Sequence, residues 1–469
     1  MEPSRRDFLR IMGTAAAGAC MASTACADPP VQGNGRNVLF IPVDDLNDWV
    51  GCLGGHPDVQ TPNIDRLAGQ GVLFSRAYCP APLCNPSRTA VLTGLRPTTT
   101  GVYSNSPRPR DVEVLRGRSS IPRFFRENGY RVMGSGKISH GRGYSDRGDW
   151  HEFWPSLRRP RPQGARAPFE PMNGIEGTGA LDWGPLDVPD EEMSDWKVAE
   201  WAGERLSEPH DRPFFLAAGV FRPHGSWYVP RKYFDMYPLE SVTLPTVLEG
   251  DLADVPEIGR PDPRAHGRVV SHGQWRDAVQ AYLASVTFAD ACIGKILDAL
   301  ERGPHADNTA VVLWSDHGLH LGEKLRWGKS TAWEQATRSL MIWRDNQAVE
   351  PGRCDQPVGL IDIYPTLAAL CGLTPPSGLE GQDLRPLLDD PDSPDWQRPP
   401  VVTTLWPGVY TVRSQRWRYT RYLDGSEEVY DHSNDPEEWT NLAELPEIDP
   451  VKAELGRWMP RTAAEPVER

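Results

Sequence analysis

The chain has 469 residues, a length that at roughly 150 residues per domain suits one large domain and a smaller one. With 39% hydrophobic and 24% charged residues, its composition is that of an ordinary soluble globular protein. The formal net charge of -14 argues against a nucleic-acid-binding protein, which normally carries a basic balance or a basic stripe. An anionic ligand would need a local basic site, because the overall field does not attract it.

The first 27 residues resemble an export signal. Arg5 and Arg6 precede a mildly apolar stretch over residues 11–27, as in the Tat signals of bacteria. This stretch is too rich in small residues for a membrane span, which needs about 20 apolar residues, and Ala25-Cys26-Ala27 resembles a cleavage site. Residues 1–27 are therefore predicted to be a Tat-type signal peptide that leads to the periplasm or the exterior. A disordered basic tail is the alternative, and Cys26 is a weak candidate for a lipoprotein cysteine.

Short apolar runs alternate with helical segments along most of the chain. The run over residues 37–43 is nearly all apolar, which is typical of a strand buried in a parallel sheet. Thr61 and Pro62 begin a helix, because proline fits the first helical turn. The alternation predicts an α/β fold with a large, mostly parallel sheet flanked by helices. The predicted strands are residues 37–43, 72–78, 130–133, 213–220 and 309–314, and the predicted helices are residues 62–71, 86–94, 121–128, 275–302 and 361–370.

The remaining segments predict the domain boundaries. Residues 143–190 are rich in Pro, Gly and Arg and are predicted to be a long irregular insertion, whereas residues 389–400 resemble a linker. Short strands at residues 410–412, 417–422 and 428–430 then predict a small antiparallel C-terminal subdomain. We therefore expect a large domain over residues 36–388 and a subdomain over residues 400–469. Cys354 and Cys371 flank one predicted strand–helix unit, and either a disulfide or two buried thiols would fit them.

Three predicted strands end in polar clusters. These are Asp44-Asp45, Arg222-Pro223-His224 and Asp316-His317. Open α/β sheets bind ligands at the carboxyl ends of their strands, and hard cations such as calcium take several carboxylate oxygens. An Asp pair alone would be weak evidence, since Asp also caps helices, but together with Asp316 it predicts a divalent-cation site.

One motif is more specific than the rest. Cys84-Asn85-Pro86-Ser87-Arg88 is followed by Leu92-Thr93-Gly94 and then by Pro97. This pattern resembles the sulfatase family, whose motif is C-x-P-S-R with a downstream L-T-G-x-x-P. The resemblance covers about residues 36–445, and the Asp-His pair at 316–317 resembles the iduronate-2-sulfatase and choline-sulfatase branch. Further matching segments are residues 61–68, Lys137, His140, Gly318, Lys329, residues 428–431, residues 435–438 and Asn441-Leu442.

The resemblance implies an alkaline-phosphatase-like fold and hydrolysis of a sulfate ester on a sulfated sugar or a small sulfated molecule. It also implies that a separate maturation enzyme oxidises Cys84 to formylglycine. A thiol that attacked sulfur would leave an S-sulfo product with no easy exit, whereas a hydrated aldehyde can re-form its carbonyl and expel sulfate. Because Tat cargo folds before it crosses the membrane, this oxidation is expected in the cytoplasm.

The resemblance assigns roles residue by residue. Arg88 would hold the formylglycine and the metal ligands in place, and Lys137 and Lys329 would bind sulfate oxygens. His140 would take a proton during sulfate release, and His224, with Lys329, would protonate the leaving oxygen. The implied metal is calcium, with manganese or magnesium left open because imidazole suits softer metals. The implied metal ligands are Asp44, Asp45, Cys84, Asp316 and His317.

The sequence departs from the family pattern in places that affect these roles. Arg222 replaces the usual Lys before Pro-His, and a planar fork contacts a substrate differently from a point charge. Gly141-Arg142 follows His140 where a Pro is common, and Arg338-Ser339 replaces a common His-Val, a change we expect to affect packing. The cluster Arg158, Arg159, Arg161 and Arg166 is the best candidate for a loop that recognises a polyanion, and a solvated loop explains it as well.

Two other functions compete with this interpretation. A phosphodiesterase or phosphonate hydrolase of the same superfamily would share the fold and the metal site. A non-catalytic glycan-binding protein with an unmodified Cys84 would not need the full set of acidic, basic and imidazole side chains. The sequence does not identify the substrate, the sulfate position or the oligomeric state.

Overall fold

The computed structural model describes residues 29–141, 146–168, 170–176, 181–347, 350–394, 396–397 and 399–467. The predicted signal peptide, with Arg5, Arg6 and Cys26, lies outside the described residues, and so does Arg142. Within the described ranges, no helix combines the length and the apolar character needed to cross a membrane.

Strands and helices alternate along the chain as the apolar runs predict. The strands are β1 (Asn37–Asp44), β2 (Val72–Phe74), β3 (Ala77–Tyr78), β4 (Arg131–Gly136), β5 (Glu152–Trp154), β6 (Trp183–Leu186), β7 (Phe214–Pro223), β8 (Trp227–Pro230), β9 (Thr309–Ser315), β10 (His320–Leu321), β11 (Trp327–Gly328), β12 (Arg338–Ser339), β13 (Met341–Arg344), β14 (Gly352–Cys354), β15 (Val358–Gly359), β16 (Val401–Trp406), β17 (Val409–Arg413), β18 (Trp417–Arg421) and β19 (Glu427–Asp431). The helices are α1 (Pro62–Gly69), α2 (Cys84–Thr93), α3 (Pro97–Thr100), α4 (Ile121–Glu127), α5 (Ser194–Ser207), α6 (Arg231–Phe234), α7 (Arg264–Ser271), α8 (Trp275–Arg302), α9 (Glu334–Thr337), α10 (Ile363–Leu370), α11 (Arg385–Asp389) and α12 (Asp449–Gly456).

The centre of the molecule is a large sheet with the strand order β14-β2-β13-β9-β1-β7-β4-β5. Neighbouring strands run parallel except at β13, which is antiparallel to both β9 and β2. β1 lies in the middle of this sheet, and all of its residues are buried. A strand covered on both faces is expected to be apolar, as β1 is from Val38 to Val43.

Helices cover both faces of the sheet. Because side chains alternate along a strand, Leu39 and Ile41 of β1 face the core formed with α1, α5 and α8. Val38 and Phe40 face the opposite core, formed with α2, α4 and α10. The predicted α/β class, with its mostly parallel sheet between helices, is confirmed.

Two predicted elements are placed differently. The strand predicted over residues 72–78 is divided into β2 and β3 by a turn at Ser75 and Arg76, and the carbonyl of Ser75 accepts a hydrogen bond from Arg338 Nε at 2.9 Å. Arg338 thus contacts this turn and also pairs with Asp48, whose Oδ2 lies 3.1 Å from Nη1. The helix predicted from Pro86 begins instead at Cys84, where the amide of Ser87 donates to the carbonyl of Leu83 at 3.0 Å. Pro86 is tolerated there because a first-turn residue needs no intrahelical N–H partner.

The segment over residues 143–190 is not wholly irregular, so that prediction is wrong in part. β5 pairs with β4 at the edge of the large sheet, and β6 pairs with β8. Both pairings join strands from separate segments, which the pattern within one segment does not reveal. Cys354 and Cys371 are free, buried thiols.

The C-terminal part forms the predicted antiparallel sheet, in the order β16-β17-β18-β19, with α12 packed on it. A buried ion-pair network joins this sheet to α9. Arg418 in β18 pairs with Glu438 and with Glu334, and Arg413 Nε lies 3.2 Å from Glu334. His432 Nε2 lies 2.8 Å from Glu438. Glu334, His432 and Glu438 are spaced like metal ligands, but the two arginines already neutralise these carboxylates.

Candidate active site

Four neighbouring strands of the large sheet end at one edge, because they run parallel. β1 ends at Asp44, β4 ends at Gly136 next to Lys137, β7 ends at Pro223 next to His224, and β9 ends at Ser315 next to Asp316. The polar clusters that the sequence places after separate strands therefore meet in one place. This is the edge at which open α/β sheets bind ligands.

Cys84 lies at the first position of α2, beneath that edge, and is 1% exposed. Its Sγ atom is 3.1 Å from Lys329 Nζ, 3.4 Å from His317 Nε2 and 3.8 Å from Asp45 Oδ1. His140 also forms a hydrogen bond with the thiol. The unpaired amides of the first helical turn favour negative charge at this position.

The surroundings of Cys84 change its acidity. Burial raises the pKa of the thiol, but Lys137, Lys329 and His317 outweigh burial and hold the pKa well below its usual range. Cys79, five residues earlier, is equally buried and shows the opposite direction, because burial raises its pKa well above the usual value. The surroundings of position 84 therefore stabilise a negatively charged group.

Arg88 connects three strand ends. It is one turn after Cys84 on the same face of α2, and it is 1% exposed. Its guanidinium donates to Asp316 Oδ2 at 2.7 Å, to the carbonyl of Lys137 at 2.7 Å and to Asp44 Oδ1 at 3.3 Å. The five donors of the planar guanidinium can satisfy this spread of acceptors, which a lysine could not.

Carboxylates and an imidazole converge beside Cys84. Ligand atoms of Asp44, Cys84, Asp316 and His317 lie within 4.8 Å of one another, and an overlapping set contains Asp45 and His224. His317 Nδ1 donates to the carbonyl of Gly318 at 2.9 Å. His317 Nε2 therefore faces Asp45 Oδ1 at 3.4 Å and Asp316 Oδ1 at 3.6 Å.

The orientation of His317 tests whether a metal fits. A neutral imidazole would aim its Nε2 lone pair at two carboxylate oxygens, which is unfavourable unless a cation lies between them. Burial lowers the pKa of His317, but Asp316 and Cys84 together outweigh burial and raise it to about 9, so a proton serves as that cation when no metal is present. The fixed Nδ1 hydrogen bond is the outer contact typical of metal-binding histidines. The donor set therefore fits a divalent cation.

Basic side chains balance the acidic ones. Lys137 pairs with Asp44, and Lys329 pairs with Asp45. Burial raises the pKa of Asp44, but Lys137, His224 and Arg88 together outweigh burial and keep the pKa below its usual value. Together with Arg88 and Asp316, three carboxylates and three basic side chains meet here.

His224 lies at the more open side of the site. Its Nδ1 donates to the carbonyl of Gly225 at 2.7 Å, which leaves Nε2 facing Asp45 Oδ2 at 3.9 Å. Burial lowers the pKa of His224, but Asp45 and Asp44 outweigh burial and raise it. Arg222, the departure before Pro-His, donates to the carbonyls of His224 at 2.9 Å and Tyr228 at 3.3 Å, so it orients the segment that carries His224.

The sequence did not single out every residue that shapes the site. The Tyr282 hydroxyl, from α8, donates to the carbonyl of Asp45 at 2.9 Å and helps hold Asp45 at φ 58°, a region that Asp tolerates better than most residues. Ser87 Oγ donates to the carbonyl of Asp316 at 2.6 Å. Ser87 lies within the motif, but Tyr282 lies on the buried face of a long amphipathic helix, which carries no local signal for this contact.

Comparison with known proteins identifies the family. Residues 36–373 match the family model described as Sulfatase. The chain belongs to the sulfatase family. Residues 322–465 match the model described as N-sulphoglucosamine sulphohydrolase, C-terminal. Sulfatases in general use a metal and a formylglycine, and this chain brings possible ligands and Cys84 together.

Curated relatives and a solved structure agree with this assignment. A protein named Sulfatase from Formosa agariphila is 39% identical over 423 residues, which cover 87% of this chain and 83% of the relative. Iduronate 2-sulfatase from Mus musculus is 32% identical over 407 residues, which cover 76% of this chain and 72% of the relative. The structure of a 2-O GAG sulfatase matches with a TM-score of 0.67 and 25% identity, covering 90% of each chain.

The comparisons support the phosphonate-hydrolase alternative only at the level of the fold. The phosphonate monoester hydrolase of Silicibacter pomeroyi has a TM-score of 0.73, but the identity is 23% over 90% of this chain and 94% of that one, so the likeness shows the fold alone. The sulfatase resemblance and the prediction of an enzyme are confirmed. The protein is a sulfuric-ester hydrolase.

Proposed function

We propose that this sulfatase removes sulfate from a sugar by means of a formylglycine made from Cys84 and a bound calcium ion. The observation that carries the proposal is the position of Cys84 Sγ at the start of α2, within 3.8 Å of Lys329, His317 and Asp45. In the matured enzyme, the oxygens of a hydrated aldehyde would take the place of this sulfur.

The side chains around residue 84 suit the two halves of the reaction. The hydrated aldehyde supplies one hydroxyl that attacks sulfur and a second whose deprotonation expels sulfate. His140, which hydrogen-bonds to residue 84, accepts that proton. Lys137 and Lys329 hold the sulfate oxygens, and His224 with Lys329 gives a proton to the leaving sugar oxygen.

Asp44, Asp45, Asp316 and His317, with residue 84, would hold the cation, which draws charge from the sulfate oxygens and acidifies the diol. Three carboxylates favour calcium, while the imidazole keeps manganese and magnesium as alternatives. Because the carboxylates and the basic side chains balance, a divalent cation leaves the site locally positive. That charge explains how a chain of net charge -14 binds an anion.

The proposed substrate class is a sulfated sugar. Two relatives support it by their names, iduronate 2-sulfatase and 2-O GAG sulfatase. We further propose that a separate formylglycine-generating enzyme matures the chain in the cytoplasm. Residues 1–27 then direct export through Tat to the periplasm or exterior, with residues 36–388 as catalytic domain and residues 400–469 as C-terminal subdomain.

Mass spectrometry of the Cys84 peptide tests the modification. We expect an aldehyde at residue 84 in protein from the native host, or in protein made together with a maturation enzyme, and an unmodified thiol in protein made without one. Sulfatase activity should follow the aldehyde fraction. An active enzyme with an intact thiol at residue 84 would overturn the formylglycine route while leaving the family assignment unaffected.

A substrate panel tests the reaction class. The matured enzyme should hydrolyse nitrophenyl sulfate in preference to the corresponding phosphate monoester and diester. Defined sulfated mono- and disaccharides should then identify the sugar and the sulfate position. Dominant turnover of a phosphate ester would refute the proposal.

Removing the metal should abolish activity and lower stability. A chelator is expected to reduce sulfate-ester hydrolysis to background and to lower the melting temperature, since a ligand of the native state alone stabilises that state by mass action. Calcium should restore both, better than manganese or magnesium. Activity that survives chelation, with metal analysis showing an empty protein, would contradict the assignment of the ligands.

A further inference from the structure

Basic side chains surround the ring of Phe221, at the end of β7. This ring stacks against His224, with centroids 4.6 Å apart and an angle of 29° between the planes. Arg161 Cζ lies 3.5 Å from the centre of the ring, and Lys137 Nζ and Arg222 Cζ lie 5.3 Å from it. A cation over an aromatic face is attracted by the ring quadrupole. Phe221 therefore links Arg161 to the imidazole beside the reacting centre.

Arg161 is held in this position by its neighbours in the chain. It lies between Pro160 and Pro162, whose rings restrict the local backbone. The carbonyl of Pro160 accepts a hydrogen bond from the amide of Gly136 at 2.9 Å, at the end of β4. The carbonyl of Pro162 accepts one from Ser194 Oγ at 2.9 Å, at the start of α5. Hydrogen bonds thus hold residues 160–162 against the end of β4 and the start of α5.

The contact with the ring of Phe221 distinguishes Arg161 from the other arginines of its loop. Arg158, Arg159 and Arg166 are exposed, and in the part of the chain that the structure describes only Arg161 of these four stacks on a ring. Arg161 is exposed as well, so its contact with the ring of Phe221 is what sets it apart from the other three arginines.

Among the described residues, neither Arg161 nor Arg222 forms an ion pair with a carboxylate. Asp195 is close to Arg222, but its carboxylate accepts the backbone amides of Phe221 at 3.1 Å and Arg222 at 2.9 Å. The pKa of Arg222 is lowered to about 10, mainly by burial; Asp195 and Asp44 oppose this shift, and Arg161 adds to it. An anion bound beside these guanidiniums would offset the repulsion between them.

We propose that Arg161 binds a second anionic group of the substrate, a carboxylate or a second sulfate, next to the ester that is cleaved. This role rests on the proposed function and specifies the substrate as a sugar that carries two negative groups. Arg161 is a specificity residue here. Its planar fork suits either group by paired hydrogen bonds, and its exposed side chain faces incoming ligand while Phe221 and the flanking prolines keep it ordered.

Matched ligand pairs test this role. A hexuronic acid 2-sulfate is compared with its methyl ester, and a hexose disulfate with the corresponding monosulfate, as inhibitors of nitrophenyl sulfate hydrolysis. Isothermal titration calorimetry gives the same affinity ratios without turnover. The proteins are wild type, Arg161→Gln, Arg161→Lys and the control Arg158→Gln, which alters an exposed arginine of the same loop that has no ring contact.

In wild type and Arg158→Gln, the doubly anionic member of at least one pair should bind about ten-fold more tightly, as expected for a charge-assisted contact. Arg161→Gln should bring that ratio close to one, and Arg161→Lys should give an intermediate ratio. The ligand pair whose affinity ratio falls in Arg161→Gln identifies the second anionic group as a carboxylate or a sulfate. An unchanged ratio in Arg161→Gln, or no preference in wild type for either pair, overturns the proposal. Failure of wild type to hydrolyse any sulfate ester would refute the proposed function instead, and calorimetry would still decide the role of Arg161.

Discussion

Replacing Cys84 with alanine is expected to lower kcat for sulfate-ester hydrolysis by about 10⁴-fold or more, since removing a nucleophile commonly has an effect of that size. The side chain is 1% exposed and lies among Lys329, His317 and Asp45, so no other group occupies its position. The measurement is kcat with nitrophenyl sulfate at saturating metal. The free energy of unfolding should change by no more than about 1.5 kcal/mol, because only one small atom is removed.

Cys79→Ala is the matched control. Cys79 is also a free, buried thiol, but its Sγ donates to the backbone carbonyl of Ala336, at 3.8 Å. This variant should lose about 1 kcal/mol of stability by leaving a small cavity and should keep kcat within about three-fold, which is well below the 1.4 kcal/mol of a ten-fold change. Comparable kcat losses in both variants would indicate a general need for buried thiols and would count against Cys84 as the nucleophile precursor.

Much of the site was predictable because its residues lie at points that local sequence identifies. Asp44 and Asp316 follow apolar runs, and such runs form buried parallel strands whose carboxyl ends meet at one edge. The motif then placed Cys84 and Arg88 on one helix. Each of these patterns lies within a short stretch of chain, so it can be identified from one sequence without the structure. The structure then brings all the predicted site residues together.

Other contacts depend on distant parts of the chain and left no local signal. The hydroxyl of Tyr282 donates to the carbonyl of Asp45, which is 237 residues away in the chain. The ring of Phe221 contacts Arg161 because the end of β7 lies beside the loop that follows β5. Similarly, β5 became an edge strand of the large sheet although residues 143–190 resembled an irregular insertion. In each case the contact forms through packing between separate segments, and the periodicity within one segment does not predict such a contact.

Replacing Arg88 with methionine is expected to lower the free energy of unfolding by about 3–5 kcal/mol, which is typical when one partner of a buried ion pair is removed. Asp316 and Asp44 would keep their buried carboxylates without the guanidinium that now contacts them at 2.7 and 3.3 Å. The same change should reduce kcat/KM by about 10²-fold or more, because small displacements of catalytic groups have effects of that order. Denaturant unfolding and steady-state kinetics on the matured enzyme measure the two effects.

A second buried arginine separates loss of stability from loss of the site. Arg418 is as buried as Arg88 and pairs with Glu438 and Glu334, but it lies in the C-terminal sheet. Arg418→Met should lose similar stability while the folded fraction keeps kcat/KM within about three-fold, a change of less than 1.4 kcal/mol in the barrier. Arg88→Lys, which keeps the charge but not the planar fork, should fold better than Arg88→Met and still lose most activity. If Arg88→Lys were fully active, a single positive charge would suffice at this position. The argument that Arg88 fixes the metal ligands through its several directed hydrogen bonds would then be wrong.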